Sequence, residues 1–218
     1  MATVIMIPAP RCATWQLQSA NIDRVVAIHR ESFPNFFLTS LGPRFLREFY
    51  ASFPSDPTGM GFVACDAQGE VLGAVVGSLN PREYFKRLLQ RRWWAFGLVS
   101  LAAILRQPSF TSRLLRAVFY RGEAPAGPVR ALLSSVVVAR QAQGQGVGRA
   151  LVQRWLAAAQ ARGASGCFLT TDAQNNGDVN RFYLSLGWKL EANYTTRDGR
   201  KMNRYVNDFA SPESLVAG

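Results

Sequence analysis

One segment constrains the fold more than any other: an apolar strand that runs through a glycine-rich turn into a helix. Residues 131–139 form a continuous apolar run with β-branched side chains, which is typical of a strand buried on both faces. Gly144, Gly146 and Gly148 follow, and residues 147–162 carry apolar side chains at helical spacing. Such a junction exposes the free N–H groups of a helix N-terminus, which can bind a diphosphate.

The spacing of the glycines separates the known phosphate-binding turns. A Walker loop needs Lys and Ser or Thr after its last glycine, whereas Arg149 and Ala150 follow Gly148. A dinucleotide-binding turn needs G-x-G-x-x-G, and the spacing here is G-x-G-x-G. The pattern that remains is Gln143-x-x-Gly146-x-Gly148. A glycine-rich helix cap without a ligand is the alternative interpretation.

A second motif follows at residues 176–188, NGDVNRFYLSLGW. Together, the two segments resemble the two signatures of the GNAT acyltransferases, Q/R-x-x-G-x-G/A and N-x-x-A-x-x-F/L-Y-x-x-x-G-F. Val179 stands in place of the usual Ala and Trp188 in place of the usual Phe, and both changes keep the apolar character. The order and separation of the motifs also agree with this family, except that residues 80–128 have no counterpart in the resemblance.

The resemblance implies one α/β domain over residues 1–218, with a mixed, mostly antiparallel central sheet flanked by helices. The residue pattern predicts helices that begin near Asn21 or Asp23 and at Pro43, followed later by helices at 147–162 and 179–186. Strands are expected at 14–18, 62–65, 71–78, 131–139, 167–171, 188–194 and 202–209. Residues 80–128 are expected to form a basic helical insert.

The family resemblance also implies acetyl-CoA or another short acyl-CoA as co-substrate, bound where strands 131–139 and 167–171 splay apart. Backbone groups of Val136 and Val138 would pair with the pantetheine arm, and Asn176 would contribute to the same site. The diphosphate would lie on the turn formed by Gln143, Gly144, Gln145, Gly146, Val147, Gly148 and Arg149. The acceptor amine then attacks the thioester directly, without an acyl-enzyme.

Two proton transfers need side chains. The resemblance implies that Tyr183 protonates the departing thiolate, and the alternative is that Tyr183 only packs beside Phe182. For the base, the candidates are His29, Asp172 and a water relay. His29 shares a helix face with apolar residues, so a packed, non-catalytic histidine is the alternative for it. With a single histidine and scattered cysteines, no metal site is expected, and reduced thiols favour a cytoplasmic protein.

The positive charge of the chain indicates which kind of acceptor it would bind. The formal net charge is +11, and residues 80–121 contain nine Lys or Arg and one acid. This excess favours an anionic partner, which we expect to be a small-molecule amine rather than nucleic acid. Three segments resemble those of GNAT acyltransferases that modify nucleotide-linked amino sugars of bacterial surface polysaccharides. They are the loop with Phe37, the insert with Arg91 and Arg92, and the strand end at Thr171.

Other functions remain open at this stage. A protein or peptide amine is the rival acceptor, and a non-catalytic CoA-binding or membrane-docked module is the rival class of protein. The insert contains an apolar helical stripe beside basic residues, formed by Phe85, Leu88, Leu89 and Trp93 next to Lys86, Arg87, Arg91 and Arg92. This pattern suits peripheral membrane contact as well as a packed lid with a solvated basic face. The lid is the interpretation that we prefer. The N-terminal residues lack the basic start of a signal peptide, and no apolar run is long enough to span a bilayer.

Overall fold

The computed structural model describes residues 12–34, 36–90, 130–196 and 199–209. Seven strands form one sheet in the order β1-β2-β3-β4-β5-β7-β6. Only the β4–β5 pair is parallel, and every other neighbouring pair is antiparallel. The predicted mixed, mostly antiparallel α/β fold is therefore confirmed. The strands are β1 (Ala13–Gln16), β2 (Gly59–Cys65), β3 (Val71–Ser78), β4 (Ala131–Val138), β5 (Gly166–Asp172), β6 (Lys189–Thr195) and β7 (Lys201–Asp208).

The helices begin and end close to their sequence signals. Pro43 occupies the first turn of its helix, where its missing N–H costs nothing. Gly163, with φ of +81°, follows the end of the long helix and accepts the left-handed conformation that ends many helices. The helices are α1 (Ile22–Ser32), α2 (Phe37–Ser40), α3 (Pro43–Ser52), α4 (described over residues 81–90), α5 (Val147–Ala161) and α6 (Gly177–Ser185).

The sheet separates two helical layers. A side chain at Gly77 of β3 would lie 2.5 Å from the ring of Trp155, so the glycine lets α5 approach this face closely. On the opposite face the hydroxyl groups of Tyr50 and Ser135 lie 3.2 Å apart, which places α3 against β4. Because side chains alternate along a strand, Val136 and Val138 belong to the α5 face and Ser135 to the α1–α3 face.

The two central strands separate soon after they meet. β4 and β5 are paired at only two positions, Ala131 with Cys167 and Leu132 with Phe168. Beyond them Ser134, Ser135 and Val136 are all half-buried. The prediction of a strand buried on both faces was therefore wrong for the C-terminal half of β4, because an apolar run cannot show that the neighbouring strand diverges.

The basic insert is described only at its start. Tyr84 of α4 is buried, and Phe85 and Leu88 pack against the core. Arg87 donates to both carboxylate oxygens of Asp56, at 2.8 and 3.0 Å, so this cation is engaged within the protein. The predicted substrate residues Arg91 and Arg92, like the rest of the insert, lie outside the described residues. Among the helices that are described, none combines the length and hydropathy required to cross a bilayer.

Candidate active site

The gap between β4 and β5 exposes backbone groups of β4. Ala139 donates its N–H to the carbonyl of Leu72 on the β3 side, at 2.8 Å. Hydrogen-bonded and non-hydrogen-bonded pairs alternate along an antiparallel ladder. With Gly73 opposite Val138 and Val75 opposite Val136, the N–H and C=O groups of both valines point away from β3 and into the gap. These are the two residues whose backbone was expected to contact the pantetheine arm.

One of these groups is already engaged. The carbonyl of Val138 accepts hydrogen bonds from Ser32 Oγ at 3.0 Å and from Gln143 Nε2 at 3.1 Å. Gln143 therefore folds the turn back onto the end of β4, and Ser32 fixes the end of α1 to the same point. The N–H of Val138 and both backbone groups of Val136 are the positions on this edge that an extended ligand could pair with.

The turn after β4 has the geometry of a candidate anion site. Gly144 and Gly146 have φ of +73° and +82°, and a side chain at either position would meet nothing within 4 Å. Gly146 is the N-cap of α5 and no side chain caps this helix. The N–H groups of Val147, Gly148 and Arg149 thus have no acceptor within the helix. They stand at the positive end of the helix dipole, which favours a bound anion.

Both predicted motifs meet at this turn. A Cβ on Gly148 would lie 3.4 Å from the ring of Phe182, so α6 packs against the first turn of α5. Arg149 donates to the hydroxyl of Ser185 at 3.4 Å across the same contact. The remaining turn residue, Gln145, donates to the carbonyl of Gln141 at 2.7 Å and stabilises the loop itself.

Tyr183 lies next to Phe182 and is 7% exposed. Its ring contacts Trp188 edge-on, with centroids 5.8 Å apart, and lies 6.3 Å from the ring of Tyr205. Burial raises the pKa of the Tyr183 phenol above its ordinary value, so the hydroxyl stays protonated through neutral pH. The described part of the chain supplies this hydroxyl with no hydrogen-bond partner.

The end of β5 is closed by amide side chains. Asn176 Nδ2 donates to Thr171 Oγ1 at 2.6 Å and to the carbonyl of Asp172 at 3.2 Å, which leaves its Oδ1 as the group it can offer to a ligand. The carboxylate of Asp172 accepts two hydrogen bonds from Nη2 of Arg200, at 2.7 and 2.8 Å. A base at this position would have to give up that ion pair.

His29 is buried in the layer between α1 and α3, at 1% exposure. Its Nδ1 lies 2.7 Å from the hydroxyl of Tyr50, which in turn reaches Ser135. Its Nε2 is buried and has no partner among the described residues. Burial lowers the pKa of His29 to about 4. Among the described residues, the hydrogen bonds that link the imidazole to β4 run from His29 through the hydroxyl of Tyr50 to Ser135. This arrangement suits the packed histidine that the apolar helix face indicated.

Sequence reasoning missed a polar network beside this site. Asn180 donates to the carbonyls of Asp172 and Asn176, at 3.1 and 2.8 Å. Its Oδ1 accepts hydrogen bonds from Asn203 and from the hydroxyl of Tyr205, both at 3.0 Å. The available signal was the position of Asn180 on the predicted helix 179–186, four residues after Asn176. The partners of Asn180 on β7 could not be read from it.

Comparison with known proteins agrees with this geometry. The acetyltransferase (GNAT) family profile matches residues 22–188. The chain belongs to the GNAT family. A search of curated protein sequences finds no significant match. The GNAT assignment makes the chain an N-acetyltransferase, and enzymes of this family use acetyl-CoA as co-substrate.

Solved structures show the same GNAT fold at low sequence identity. A GCN5-related N-acetyltransferase from Kribbella flavida is 18% identical, with a TM-score of 0.59 over 91% of this chain and 98% of its own. Ard1 from Thermoplasma volcanium is 15% identical, with a TM-score of 0.58 over 92% and 99%. A spermidine N-acetyltransferase chimera from Vibrio cholerae is 15% identical, with a TM-score of 0.59 over 91% and 95%.

The two remaining predicted acceptor residues lie on different elements. Phe37 is the first residue of the short helix α2, which follows α1 along the chain. Thr171 lies on β5 within hydrogen-bond reach of Asn176. The structure thus brings together the turn, the β4 backbone and α6, while His29 lies behind them in the core.

Proposed function

We propose that this protein transfers an acetyl or short acyl group from CoA to the primary amine of an anionic small molecule, and that a nucleotide-linked amino sugar is the acceptor. The acyl-transfer half of the proposal depends on one observation, the gap between β4 and β5 that opens after two paired positions. At its wide end lies an uncapped helix N-terminus behind two unobstructed glycines, Gly144 and Gly146.

This arrangement suits the two halves of CoA in different ways. The pantetheine arm contains amide groups. These amides can pair with the N–H and C=O of Val136 and the N–H of Val138, as the backbone of a neighbouring strand would. The diphosphate needs donors and positive charge, which the first turn of α5 supplies. Arg140 and Arg149 flank the turn, and residues 139–150 contain no acid.

In the proposed reaction the amine nitrogen attacks the thioester carbonyl carbon, the new amide bond forms and the carbon–sulfur bond breaks. The electron pair of that bond leaves on sulfur as a thiolate. Tyr183 donates its phenolic proton to this thiolate and is reprotonated from solvent. The raised phenol pKa keeps the donor form present at neutral pH, and the hydroxyl has no competing partner among the described side chains.

The ammonium form of the acceptor must lose a proton before it attacks. Asp172 is held by Arg200 in an exposed ion pair. Burial lowers the pKa of His29 to about 4, and its described hydrogen bonds reach β4 through Tyr50 and Ser135. Transfer to water is therefore favoured over direct transfer to Asp172 or to His29.

The charge of the protein supports an anionic acceptor. The net charge of +11 attracts a nucleotide diphosphate and repels a polycation, and such steering acts over about 8–10 Å at physiological ionic strength. A spermidine-like acceptor, which is named for one structural neighbour, would approach against this field. Acceptor specificity therefore differs, in our proposal, from that of the polyamine enzymes that share the fold.

The experiment that tests the proposal measures thiol release from acetyl-CoA and from longer short-chain acyl-CoAs in the presence of different amines. The panel contains nucleotide-linked amino sugars, the same amino sugars without the nucleotide, spermidine and a peptide with a free α-amine. We expect the highest kcat/KM with the nucleotide-linked sugars and a clear loss at high salt. A preference for spermidine or the peptide would overturn the acceptor assignment, and binding of CoA without turnover of any amine would favour a non-catalytic module.

A further inference from the structure

Helix α6 carries the proposed acid but has little apolar packing to hold it. Of its nine residues only Tyr183 is buried. Val179 and Leu184 are 37% and 52% exposed. Apart from Tyr183, the apolar packing of the helix comes from the half-buried Phe182, which contacts the first turn of α5. A short helix with one buried side chain needs additional contacts to fix its rotation and its position along its axis, because most helix stability in proteins comes from tertiary packing.

The amide of Asn180 provides such contacts. Its two N–H donors bind the carbonyls of Asp172, at the end of β5, and of Asn176, at the start of α6. Its oxygen accepts from Asn203 and Tyr205 on β7. An amide side chain has two donors and one oxygen with two lone pairs, so every hydrogen-bonding position of Asn180 is filled.

The same network extends away from the helix. Asn203 is 8% exposed, and its Oδ1 accepts a hydrogen bond from Asn193 of β6 at 2.6 Å. Asn193 is exposed, and this hydrogen bond joins β6 to β7 without involving α6. The network therefore has an inner part, at Asn180 and Tyr205, that holds the helix and an outer part, at Asn193, that joins two strands.

Asn180 and Tyr183 are three residues apart and lie on one face of α6. Tyr205 contacts both of them: its hydroxyl donates to Asn180 and its ring lies 6.3 Å from the ring of Tyr183. We propose that Asn180 is a positioning residue for the acyl transfer, which holds α6 on β5 and β7 so that the Tyr183 hydroxyl meets the departing thiolate. This inference rests on the acid role of Tyr183 in the proposed function.

A double-mutant cycle on activity tests this role. Asn180→Leu keeps the branching and the number of heavy atoms of the side chain, and it removes all four hydrogen bonds. If Asn180 acts through Tyr183, the substitution lowers kcat by about 10-fold in the wild-type background, with a change of about twofold or less in the KM for acetyl-CoA. In a Tyr183→Phe background the same substitution lowers kcat by about twofold or less, because the group it positions is absent.

Two further variants guard against a general loss of structure. Tyr205→Phe keeps the ring and removes one hydrogen bond to Asn180, and it is expected to lower kcat by about threefold with the same loss of effect beside Tyr183→Phe. Asn193→Ala removes the outer bond of the network and serves as the control with unchanged kcat. If Asn180→Leu fails to fold, the double-mutant cycle of Tyr205→Phe with Tyr183→Phe tests the positioning role instead.

The outcomes separate the inference from the function on which it rests. Equal losses of kcat in the wild-type and Tyr183→Phe backgrounds would show that Asn180 contributes independently of the phenol, and the positioning role would be rejected. A Tyr183→Phe variant with wild-type kcat would instead reject the acid step itself. Unchanged kcat in both Asn180→Leu and Tyr205→Phe, with Tyr183→Phe impaired, would reject only the inference.

Discussion

Replacement of Gly146 tests the anion site at the start of α5 with a change of charge alone. Gly146 has φ of +82° and its Cβ direction is open, with no atom within 4 Å. Asn and Asp tolerate this conformation better than other residues do, and they are equally good N-cap residues. The variants Gly146→Asn and Gly146→Asp should therefore have similar stability, and they differ in one negative charge at the helix N-terminus.

The magnitude follows from the distance at which that charge meets a bound diphosphate. A carboxylate on the N-cap residue would lie about 5 Å from an anion held by the first-turn N–H groups. At an effective dielectric constant of about 20, two unit charges at this distance repel by about 3 kcal/mol. After screening by salt we expect about 2–3 kcal/mol, which corresponds to a Kd for acetyl-CoA that is about 30- to 150-fold weaker for Asp than for Asn.

Isothermal titration with acetyl-CoA measures this difference, and thermal unfolding checks that the two proteins are equally folded. Gly163 provides a matched control, because it also has a positive φ of +81° and open space, but at the opposite end of α5. Gly163→Asp should leave the Kd unchanged. Equal Kd values for Gly146→Asn and Gly146→Asp would refute the assignment of the diphosphate to this turn.

Three more outcomes are expected. Tyr183→Phe should lower kcat by about 10- to 1000-fold with little change in the KM for acetyl-CoA, and steady-state kinetics that show wild-type kcat would leave the residue with packing alone. His29→Gln should keep the ascending limb of the pH–rate profile near neutral pH. Because burial lowers the pKa of His29 to about 4, protonation of this histidine lowers the stability of the wild type by up to about 3 kcal/mol as pH falls from about 6.5 to 4. Chemical denaturation should show that the variant lacks this part of the pH dependence. Gly77→Ala should destabilise the fold by about 3 kcal/mol or more, since its Cβ would lie 2.2 Å from the Leu132 carbonyl oxygen, whereas Gly69→Ala, in open space at φ of +84°, should cost about 1 kcal/mol in the same measurement.

Local signals in the sequence predicted most of the elements. Strand β3 has the predicted bounds, and α5 ends one residue before the predicted end, because Gly163 marks its C-terminus in the sequence. The glycine turn was also predicted, since the positive φ values of Gly144 and Gly146 belong to a local turn that does not depend on distant segments. Features of this kind depend on neighbours along the chain, which is why spacing alone reveals them.

Contacts between distant segments could not be predicted in the same way. The hydrogen bond from Asn203 to Asn180 requires the strand order β5-β7-β6, which no local pattern contains. The pairing of Asp172 with Arg200 likewise depends on β7 lying beside β5. Asp172 therefore looked like a free base in the sequence, although its carboxylate has a guanidinium partner.

In the proposed complex, acetyl-CoA binds along the edge of β4 that faces β5, with its diphosphate on the turn that begins α5. Amide hydrogen exchange with and without saturating acetyl-CoA measures this directly, because it reports on the N–H groups that would bind the ligand. We expect slower exchange in residues 143–149 and at Val136 and Val138, with little change on the distant strand β1. Saturable binding that leaves these amides unprotected, or protection confined to other parts of the chain, would contradict it.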